Sequence, residues 1–511
     1  MTAPKAKAAS TPLPGNVADM LWDTADRYGE RPAIIDDSGT TKYGPLRDRA
    51  AAFAVAFSRL GVRPNDRVGI FLDAGADAVA AFFGVTGVGG IAIVINESLR
   101  PRQVEYMLEH ATAELLITST DLLERQPRPL ETPCRILNVD RIREASTFGP
   151  VARHDTDPAQ ITYTSGSTGL PKGVTISHAN LWAAMRAVVS YLGIVNEDRI
   201  ASVLPFSFVY GMSQVLCAVG TGATLVIERS PLMQQLALSL RARQVSVLAA
   251  VPPLWLQLLH MPAFRTAMPS LRIMTNAGGH LPVPTVRALR QAQPQAQLFL
   301  MYGLTEVLRS TFLPPDEVDR RPDSIGRAIP EAEVLVLRDN HTLCNPGEVG
   351  ELVHCGPTVA LGYWNDADAT ARVFRPHPFS RSASEERRVV FSGDLVRVDA
   401  QGYLYYVGRR DRLIKTLGYR VSPEEITNVL YASGEILEAV VTSERDELRG
   451  ERIAAFVVLV AGGSLERLKD YCESELPYYM QPARFELRDA LPRLPSGKHD
   501  LAGVHGAQPQ R

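Results

Sequence analysis

The stretch Thr162–Gly173 reads TYTSGSTGLPKG and combines three glycines with several hydroxyl side chains and one lysine, Lys172. Apolar residues predict a strand before the loop, over 159–163, and helical spacing predicts a helix after it, over 179–192. Glycine lets backbone N–H groups point into a concavity, and Ser, Thr and Lys side chains add donors and positive charge. The composition favours a polyphosphate-binding loop, with a mobile surface linker as the alternative. The Walker pattern is excluded, because no Gly-Lys-Ser/Thr opens the helix.

The order of residues in this stretch resembles the phosphate-binding loop of the adenylate-forming (AMP-forming) superfamily, which includes acyl-CoA ligases, nonribosomal adenylation domains and luciferases. The chain is most like a free-standing acyl-CoA ligase of that superfamily, and the resemblance extends in ordered motifs from about residue 160 to about residue 500. By this resemblance the ATP-binding residues of the loop are Thr164, Ser165, Gly166, Ser167, Thr168, Gly169 and Lys172.

Composition limits the possible classes of protein. A chain of 511 residues is too long for one hydrophobic core, so at least two domains are expected. A net charge of −2 argues against a nucleic-acid partner. The cysteines are scattered without a Cys-x-x-Cys pair, so we expect neither a disulfide framework nor a zinc site. We expect a reducing, cytoplasmic location instead. Residues 78–95 carry no charge but contain four glycines, which favours a buried helix and strand over a membrane span.

Strand and helix patterns alternate from residue 17 to residue 301, which predicts parallel sheets covered by helices on both faces. After Pro330 the strands become short and turn-bounded, and from Arg412 a separate α+β unit begins. The predicted fold class is α/β, with a large N-terminal domain of parallel-sheet βαβ subdomains plus a small β-barrel, followed by a small mobile α+β C-terminal domain. We expect a disordered N-terminus (1–16), an ATP- and acid-binding N-terminal domain (17–410), a mobile C-terminal domain (411–502) and a disordered tail (503–511).

Three polar loops, 164–173, 276–280 and 302–306, each follow a predicted strand. Ligands in open α/β sheets lie beyond the carboxyl ends of the strands, so we expect the three loops to meet in one crevice. A carboxylate beside a triphosphate is repelled unless a cation lies between them. Glu306 is therefore the predicted Mg²⁺ ligand, with an exposed acid at a strand-end turn as the alternative.

The resemblance assigns further ATP contacts. Thr305 is expected to contact a phosphate, and Tyr302 to lie against the adenine. Gly278 and Gly279 correspond to the adenine-binding turn of the superfamily. The segment 392–394 (SGD) resembles its ribose motif, in which Asp394 accepts hydrogen bonds from both hydroxyls.

The segment 408–421 (GRRDRLIKTLGYRV) is either a basic linker between domains or a hinge. It resembles the hinge segment of the superfamily. By that resemblance Arg409 contacts the ribose and Asp411 is the pivot of the small domain. Gly418 then lets the backbone pass close beside a pantetheine arm, in a tunnel for the thiol.

Lys498 lies in the motif LPSGK near the C-terminus, where a lone lysine is usually a solvated charge. In the superfamily the equivalent lysine enters the crevice and bridges the substrate carboxylate and the α-phosphate. Such a cation offsets the negative charge that builds at phosphorus in the transition state. Lys498 is therefore assigned to catalysis together with Thr305 and Glu306.

The segment 204–211 (LPFSFVYG) resembles the acyl-pocket segment of the superfamily. Amino-acid-activating members usually place an aspartate after the aromatic residue, to pair with the α-ammonium group of the substrate, but here the position is Val209. An ammonium group buried against valine would be unpaired, so an acid without one is favoured. The predicted acyl-pocket residues are Phe208, Val209, Tyr210 and Leu304.

Neighbouring residues leave two points open. Met212, Val307 and Leu308 either line an apolar pocket for an acyl or aryl tail or belong to the core. Arg309 either binds a second carboxylate of the substrate or forms a structural ion pair. The segment 302–315 also resembles free-standing ligases of polysaccharide-export and prolyl-carrier loading families, although the missing aspartate weakens the prolyl alternative.

The motifs together indicate an AMP-forming acid–thiol ligase, which activates a small-molecule carboxylic acid with ATP as acyl-adenylate and transfers the acyl group to CoA. The expected cofactors are ATP, Mg²⁺ and CoA, or a carrier-protein phosphopantetheine in place of CoA. One alternative is a free-standing adenylation enzyme that loads an acid or amino acid onto an acyl or peptidyl carrier protein. The other is a catalytically degenerate binding protein, against which the retention of Lys172, Glu306, Asp394, Arg409 and Lys498 argues.

Overall fold

The computed structural model describes residues 15–142, 147–165, 170–230, 232–279, 281, 283–380, 387–409, 414–421, 423–446, 450–492 and 503–504. Its helices are α1 (Asp19–Tyr28), α2 (Tyr43–Arg59), α3 (Ala76–Gly87), α4 (Pro101–His110), α5 (Thr120–Glu124), α6 (His178–Leu192), α7 (Val209–Thr221), α8 (Met233–Ala242), α9 (Pro252–Leu259), α10 (Pro262–Arg265), α11 (Val283–Ala292), α12 (Ala367–Val373), α13 (Pro423–Ala432) and α14 (Leu465–Glu475).

The strands of the N-terminal domain are β1 (Pro32–Asp36), β2 (Gly39–Lys42), β3 (Arg67–Phe71), β4 (Ile91–Val94), β5 (Leu115–Thr118), β6 (Arg135–Asn138), β7 (Pro158–Ser165), β8 (Pro171–Ser177), β9 (Arg199–Ser202), β10 (Thr224–Ile227), β11 (Val247–Ala250), β12 (Ile273–Asn276), β13 (Gln297–Tyr302), β14 (Thr311–Leu313), β15 (Ser324–Ala328), β16 (Glu333–Leu337), β17 (Val349–Cys355), β18 (Gly362–Tyr363), β19 (Phe374–Pro376), β20 (Arg388–Val398) and β21 (Leu404–Arg409). The strands that follow are β22 (Ile414–Thr416), β23 (Tyr419–Val421), β24 (Ile436–Asp446), β25 (Gly450–Leu459) and β26 (Arg484–Leu487).

Six neighbouring strands of the largest sheet are parallel, in the order β13-β12-β11-β9-β10-β1. Every residue of β10, β11 and β12 is buried, and α7 packs against β9 and β10. Parallel strands that are covered on both faces give continuous apolar runs in sequence. The predicted α/β pattern is therefore confirmed.

A second sheet of seven strands has the order β18-β8-β7-β4-β3-β5-β6, with β8 and β18 antiparallel to their neighbours. Helix α3 is buried from Ala78 to its end, and β4 follows it. The uncharged stretch 78–95 is thus a buried helix and strand, as predicted. Among the residues that the structure describes, no helix is long and apolar enough to cross a membrane.

Antiparallel strands extend the largest sheet beyond β13, in the order β14-β15-β21-β20-β17-β16. The predicted antiparallel unit is confirmed, but the small β-barrel expected there is an open sheet among the described strands. No pairing between the described strands joins the two ends of this run. Strand β14 pairs with both β13 and β15, so the unit continues the parallel sheet. Short, turn-bounded strands look alike in sequence whether they form an open sheet or a barrel.

The C-terminal unit is a five-stranded sheet with two helices. Strands β23, β22, β25 and β24 pair antiparallel, β26 runs parallel to β25, and side chains of α13 and α14 share a buried core with them. The unit contacts the larger domain through aromatic packing and a hydrogen bond. The rings of Phe208 and Tyr419 lie 4.9 Å apart, and Gln103 Nε2 donates to the Glu475 carbonyl at 2.7 Å.

Both segments expected to be disordered contain described residues that are buried. Asn16 is 1% exposed, and its amide donates to the carbonyls of Thr86 and Val151, each at 2.9 Å. Val504 is 1% exposed and belongs to a small cluster with Phe456. The packed part of the chain therefore includes residues close to both ends of the sequence.

Candidate active site

A cavity of about 480 Å³ lies where the carboxyl ends of β7, β12 and β13 face the C-terminal unit. Each of the three polar loops that were expected to meet contributes to its wall. The C-terminal unit contributes Leu417, Gly418, Tyr419 and Tyr479 among others. The predicted site residues that line the cavity are Thr164, Lys172, Phe208, Val209, Tyr210, Gly278, Leu304, Thr305, Glu306 and Gly418.

Other predicted residues are placed differently or not described. Gly279, Tyr302 and Asp394 are described but do not line the cavity. Gly166, Ser167, Thr168, Gly169, Asp411 and Lys498 lie outside the described residues, and so do the side chains of Ser165 and Arg409. The roles assigned to all of these residues stay predictions.

The phosphate-loop stretch forms an antiparallel hairpin rather than a strand that leads directly into a helix. β7 ends at Ser165, β8 begins at Pro171, and Thr164 pairs with Lys172 across the hairpin. Lys172 is therefore a strand residue whose direction is set by the sheet, and its Nζ lies 4.0 Å from Asp366 Oδ2. The sequence did not indicate β8, because glycine and proline are more typical of loops.

Tyr363 connects the two charged groups at the polar end of the cavity. Its hydroxyl donates to Glu306 Oε1 at 2.7 Å, and its ring centroid lies 5.3 Å from Lys172 Nζ. Tyr363 is on β18 and pairs with Val174 of β8. Nothing in the local sequence pointed to this tyrosine, because its position depends on pairing between distant segments. The three side chains form one connected set in the cavity wall.

The residues predicted to bind adenine and ribose are joined by a hydrogen bond. Asp394 is fully buried on β20, and the hydroxyl of Tyr302, at the end of β13, donates to its Oδ2. The Asp394 backbone N–H donates to the Ser392 hydroxyl at 3.0 Å. Asp394 also pairs in register with Arg409 on β21. The sheet thus brings three of the predicted ATP-binding positions together beside the cavity.

The turn after β12 meets the C-terminal unit at Gly418. Gly278 and Gly418 have φ of +80° and +82°, in the left-handed region that favours glycine. A Cβ on Gly418 would lie 2.8 Å from Val251 Cγ2. The sequence predicted a close backbone approach at Gly418. The group that it approaches in this structure is a side chain of the larger domain.

Glu425, on α13, is a titratable group of the cavity wall that sequence patterns did not indicate. It is 8% exposed, and burial raises its pKa to about 8, against the opposing effect of Arg102. Burial also raises the pKa of Tyr106 and Tyr479, and the charge of Glu425 adds to that rise. Near pH 7 this carboxyl group is therefore mostly protonated, and it becomes charged only above about pH 8.

Replacement of Glu425 by Gln is expected to weaken the pH dependence of stability. The unfolded chain loses the proton near pH 4.5, whereas the folded protein keeps it up to about pH 8. The free energy of unfolding of the wild type therefore falls as pH rises between these values, by up to about 1.4 kcal/mol per pH unit from this group. Thermal denaturation at a series of pH values measures the effect. A difference between the two proteins that does not change with pH would contradict it.

Family models match both parts of the chain. The model described as AMP-binding enzyme matches residues 21–364, and the model described as AMP-binding enzyme C-terminal domain matches residues 425–498. The chain belongs to the AMP-binding enzyme family. The resemblance to the adenylate-forming superfamily is thereby confirmed, and this AMP-binding enzyme is an adenylate-forming ligase.

Relatives of this AMP-binding enzyme differ widely in length. Delta-poly-L-ornithine synthetase of Acinetobacter baumannii is 32% identical over 494 residues, which are 95% of this chain and 36% of that protein. Novobiocin biosynthesis protein H of Streptomyces niveus is 30% identical over 526 residues, which cover 98% of this chain and 85% of that protein. The chain thus spans about a third of the length of the first relative and most of the second.

One solved relative is similar to this AMP-binding enzyme in two complexes. A double mutant of o-succinylbenzoate CoA synthetase from Bacillus subtilis, bound with its product analogue, has a TM-score of 0.85 at 26% identity and covers 98% of this chain and 99% of its own. The same synthetase with its acyl-adenylate intermediate has a TM-score of 0.71 at 26% identity, covering 98% and 100%. These likenesses confirm a large sheet domain followed by a smaller C-terminal domain.

Proposed function

We propose that this AMP-binding enzyme is an AMP-forming acyl-CoA ligase, which activates a carboxylic acid as its acyl-adenylate and transfers the acyl group to CoA. The composition of the cavity supports this most directly. The cavity wall has charged and polar groups from Lys172, Thr305 and Glu306, and apolar groups from the segment around Val209. Gly418 of the C-terminal unit also lies in the wall. Such a cavity suits a polyphosphate, an acyl group and a thiol in one place.

In the first half-reaction a carboxylate oxygen of the acid attacks the α-phosphorus of ATP. The bond between that phosphorus and the oxygen bridging to the β-phosphate breaks, and pyrophosphate leaves. Lys172 offsets phosphate charge from β8, and Lys498 is proposed to do so at the α-phosphate. Glu306 fits a cation, because Oε1 accepts from Tyr363 whereas no described residue donates to Oε2. Mg²⁺ bound there would neutralise phosphate charge. The buried pair of Asp394 and Tyr302 is proposed to hold the nucleoside.

In the second half-reaction the thiol sulfur attacks the acyl carbon, the bond to the adenylate oxygen breaks, and AMP leaves. The placement of Gly418 and Tyr419 in the cavity wall suits this step. The likeness to the B. subtilis synthetase is greater for its product-analogue complex than for its acyl-adenylate complex, which supports the same assignment. We propose that the C-terminal unit turns about Asp411 between the half-reactions.

The acid is proposed to lack an α-ammonium group. Val209 is the first residue of α7 and lines the cavity. The acidic side chains among the described lining residues are Glu306, which is proposed to bind Mg²⁺, and Glu425, which burial holds neutral. An ammonium group would therefore lack an anionic partner. A reducing, cytoplasmic location is part of the proposal, because all five cysteines are free and the acceptor is a thiol.

Carrier-protein loading is the second candidate. The observation that favours it is the 32% identity to Delta-poly-L-ornithine synthetase over 95% of this chain. In that case an external acyl or peptidyl carrier protein would present its phosphopantetheine thiol to the same cavity. The chemistry of both half-reactions would be unchanged, so the two candidates differ only in the acceptor.

The test is pyrophosphate release from ATP and Mg²⁺ with a panel of carboxylic acids, including amino acids, in the presence and absence of CoA. We expect release with acids that lack an α-ammonium group, and continuous turnover when CoA is added. Single-turnover release that is indifferent to CoA would favour the carrier-loading candidate. Absence of release with every acid would favour a binding protein and overturn the proposal.

A further inference from the structure

Arg309 is a buried cation in the wall of the cavity. It is 5% exposed, and it lines both the main cavity and a second, small and mostly apolar pocket that Met212 also lines. Leu308, immediately before it, has φ of +55° and ψ of −53°, a conformation that leucine rarely adopts. The chain therefore accepts a strained turn at the point that places this guanidinium beside the acyl pocket.

One edge of the guanidinium is held by the protein and the other is not. Nη1 donates to the Leu308 carbonyl at 2.8 Å, and the group lies over the Tyr210 ring, 4.9 Å from its centroid. Nε and Nη2 are buried and make no hydrogen bond of regular geometry with a described residue, although the Tyr191 hydroxyl lies close enough for the guanidinium to oppose the rise of the tyrosine's pKa. These two nitrogens share one edge of the planar group, which is the geometry that accepts a carboxylate through two parallel hydrogen bonds.

The groups around Arg309 do not neutralise its charge. Burial raises the pKa of Tyr191, Tyr210 and Cys217, and Arg309 opposes the rise at each. All three are therefore neutral near pH 7, and the Tyr191 hydroxyl donates toward Met301 Sδ at 3.1 Å. Within the described part of the chain, Arg309 forms no ion pair with a carboxylate, and its one hydrogen bond goes from Nη1 to a carbonyl. The structural ion pair left open by the sequence is thus not found there.

A buried and uncompensated cation destabilises the folded protein unless a ligand supplies the missing charge. We infer that Arg309 binds a second acidic group of the substrate, so that the preferred substrates are dicarboxylic acids. One carboxylate is adenylated, and the other is held by Nε and Nη2 of Arg309. The spacer between them contacts apolar side chains such as Val209, Leu304 and Leu308. This inference rests on the proposed function, because it assumes that the cavity binds the acid.

The positive charge of Arg309 also disfavours amino acids as substrates. A guanidinium in the pocket repels an ammonium group, so Arg309 adds to the discrimination against amino acids that Val209 already suggests. An apolar monocarboxylic acid fills the pocket but leaves the guanidinium unpaired. It is therefore expected to bind less well than a dicarboxylic acid of equal length.

The experiment compares each of a series of aliphatic and aromatic dicarboxylic acids with its monomethyl ester, which removes one charge and retains the spacer. Pyrophosphate release is measured for the wild type and for Arg309→Met, with Arg186→Met as control, since Arg186 is exposed on α6. We expect the wild type to prefer the diacid. Arg309→Met should lower kcat/KM for the preferred diacid by roughly 30- to 100-fold and leave that for the monoester and the KM for ATP unchanged. Arg186→Met should change neither.

Binding of the diacid and the monoester, measured by calorimetry without ATP, tests the inference separately from turnover. Equal affinity of the wild type for the two, or equal loss of both in Arg309→Met, would overturn it. Equal rates of pyrophosphate release with the two compounds would also overturn the inference. In that case the proposed function would still stand, because pyrophosphate is released. If diacids bind through Arg309 but no acid supports release, the proposed function fails and the subsite stands.

The melting temperature of Arg309→Met should not fall, because the variant loses an unpaired buried charge. A large fall would also overturn the inference.

Discussion

Gly418→Leu is expected to lower acyl transfer to CoA by at least about 100-fold while pyrophosphate release with the acid persists. Gly418 has φ of +82°, and a Cβ there would lie 2.8 to 3.0 Å from three atoms of the Val251 side chain. A leucine would therefore force the C-terminal unit away from Val251, which directly follows β11. The arrangement proposed for thiol attack would be lost, whereas the arrangement proposed for adenylation does not depend on this contact.

The two half-reactions are measured separately, as pyrophosphate release in a single turnover and as acyl-CoA formation. Gly434→Leu is the matched control, because Gly434 also has positive φ, +73°, but a Cβ there would meet nothing within 4 Å. Val251→Ala combined with Gly418→Ala should recover part of the transfer, since it vacates the space that the new Cβ needs. Equal loss of both half-reactions in Gly418→Leu would argue against the assignment of Gly418 to transfer.

Glu306→Gln is expected to reduce pyrophosphate release by roughly 100- to 1000-fold, because it removes the charge proposed to hold Mg²⁺ at the phosphates. The amide keeps the size of the side chain, so the cavity wall is retained. The loss should be accompanied by a higher Mg²⁺ concentration for half-maximal rate. Initial rates over a Mg²⁺ titration at saturating ATP measure both quantities.

Tyr363→Phe separates the charge of Glu306 from its position. The variant removes the 2.7 Å hydrogen bond to Oε1 and keeps the carboxylate, so we expect a loss of no more than about 10-fold. If Glu306→Gln and Tyr363→Phe had the same effect, Glu306 would act through its hydrogen bond with the tyrosine. An unchanged Mg²⁺ requirement in Glu306→Gln would likewise contradict the metal assignment.

Local sequence patterns were sufficient for the parallel core and for the convergence of its loops. Strands such as β11 and β12 are short buried runs, and each polar loop follows such a run directly. Parallel strands bring their carboxyl ends to one edge, so the meeting of Gly278 with Thr305 and Glu306 follows from strand order alone. The acyl-pocket residues near Val209 came instead from the resemblance of the segment 204–211 to the superfamily, and the structure places them in the same cavity.

Features that depend on pairing between distant segments could not be predicted. Lys172 looked like a loop residue, since only its pairing with Thr164 makes the segment a strand. Tyr363 reaches Glu306 because β18 pairs with β8, and nothing in its neighbourhood signals that partner. The open course of the antiparallel unit depends on β14 joining β13. The lack of a counter-charge at Arg309 depends on every element packed around it.

The wall that the C-terminal unit adds to the cavity has a consequence for fidelity. Leu417, Tyr419 and Tyr479 enclose the pocket only when the unit occupies the place it has in this structure. If the C-terminal unit turns as proposed, an acid would be selected first by the larger domain, when it is activated, and again when the C-terminal unit closes over the activated product. A poorly fitting acid that is nevertheless activated would hinder closure of the C-terminal unit. Its adenylate would then be released or hydrolysed before transfer to the thiol. Accuracy would then come from two successive checks by one pocket, with ATP consumed between them.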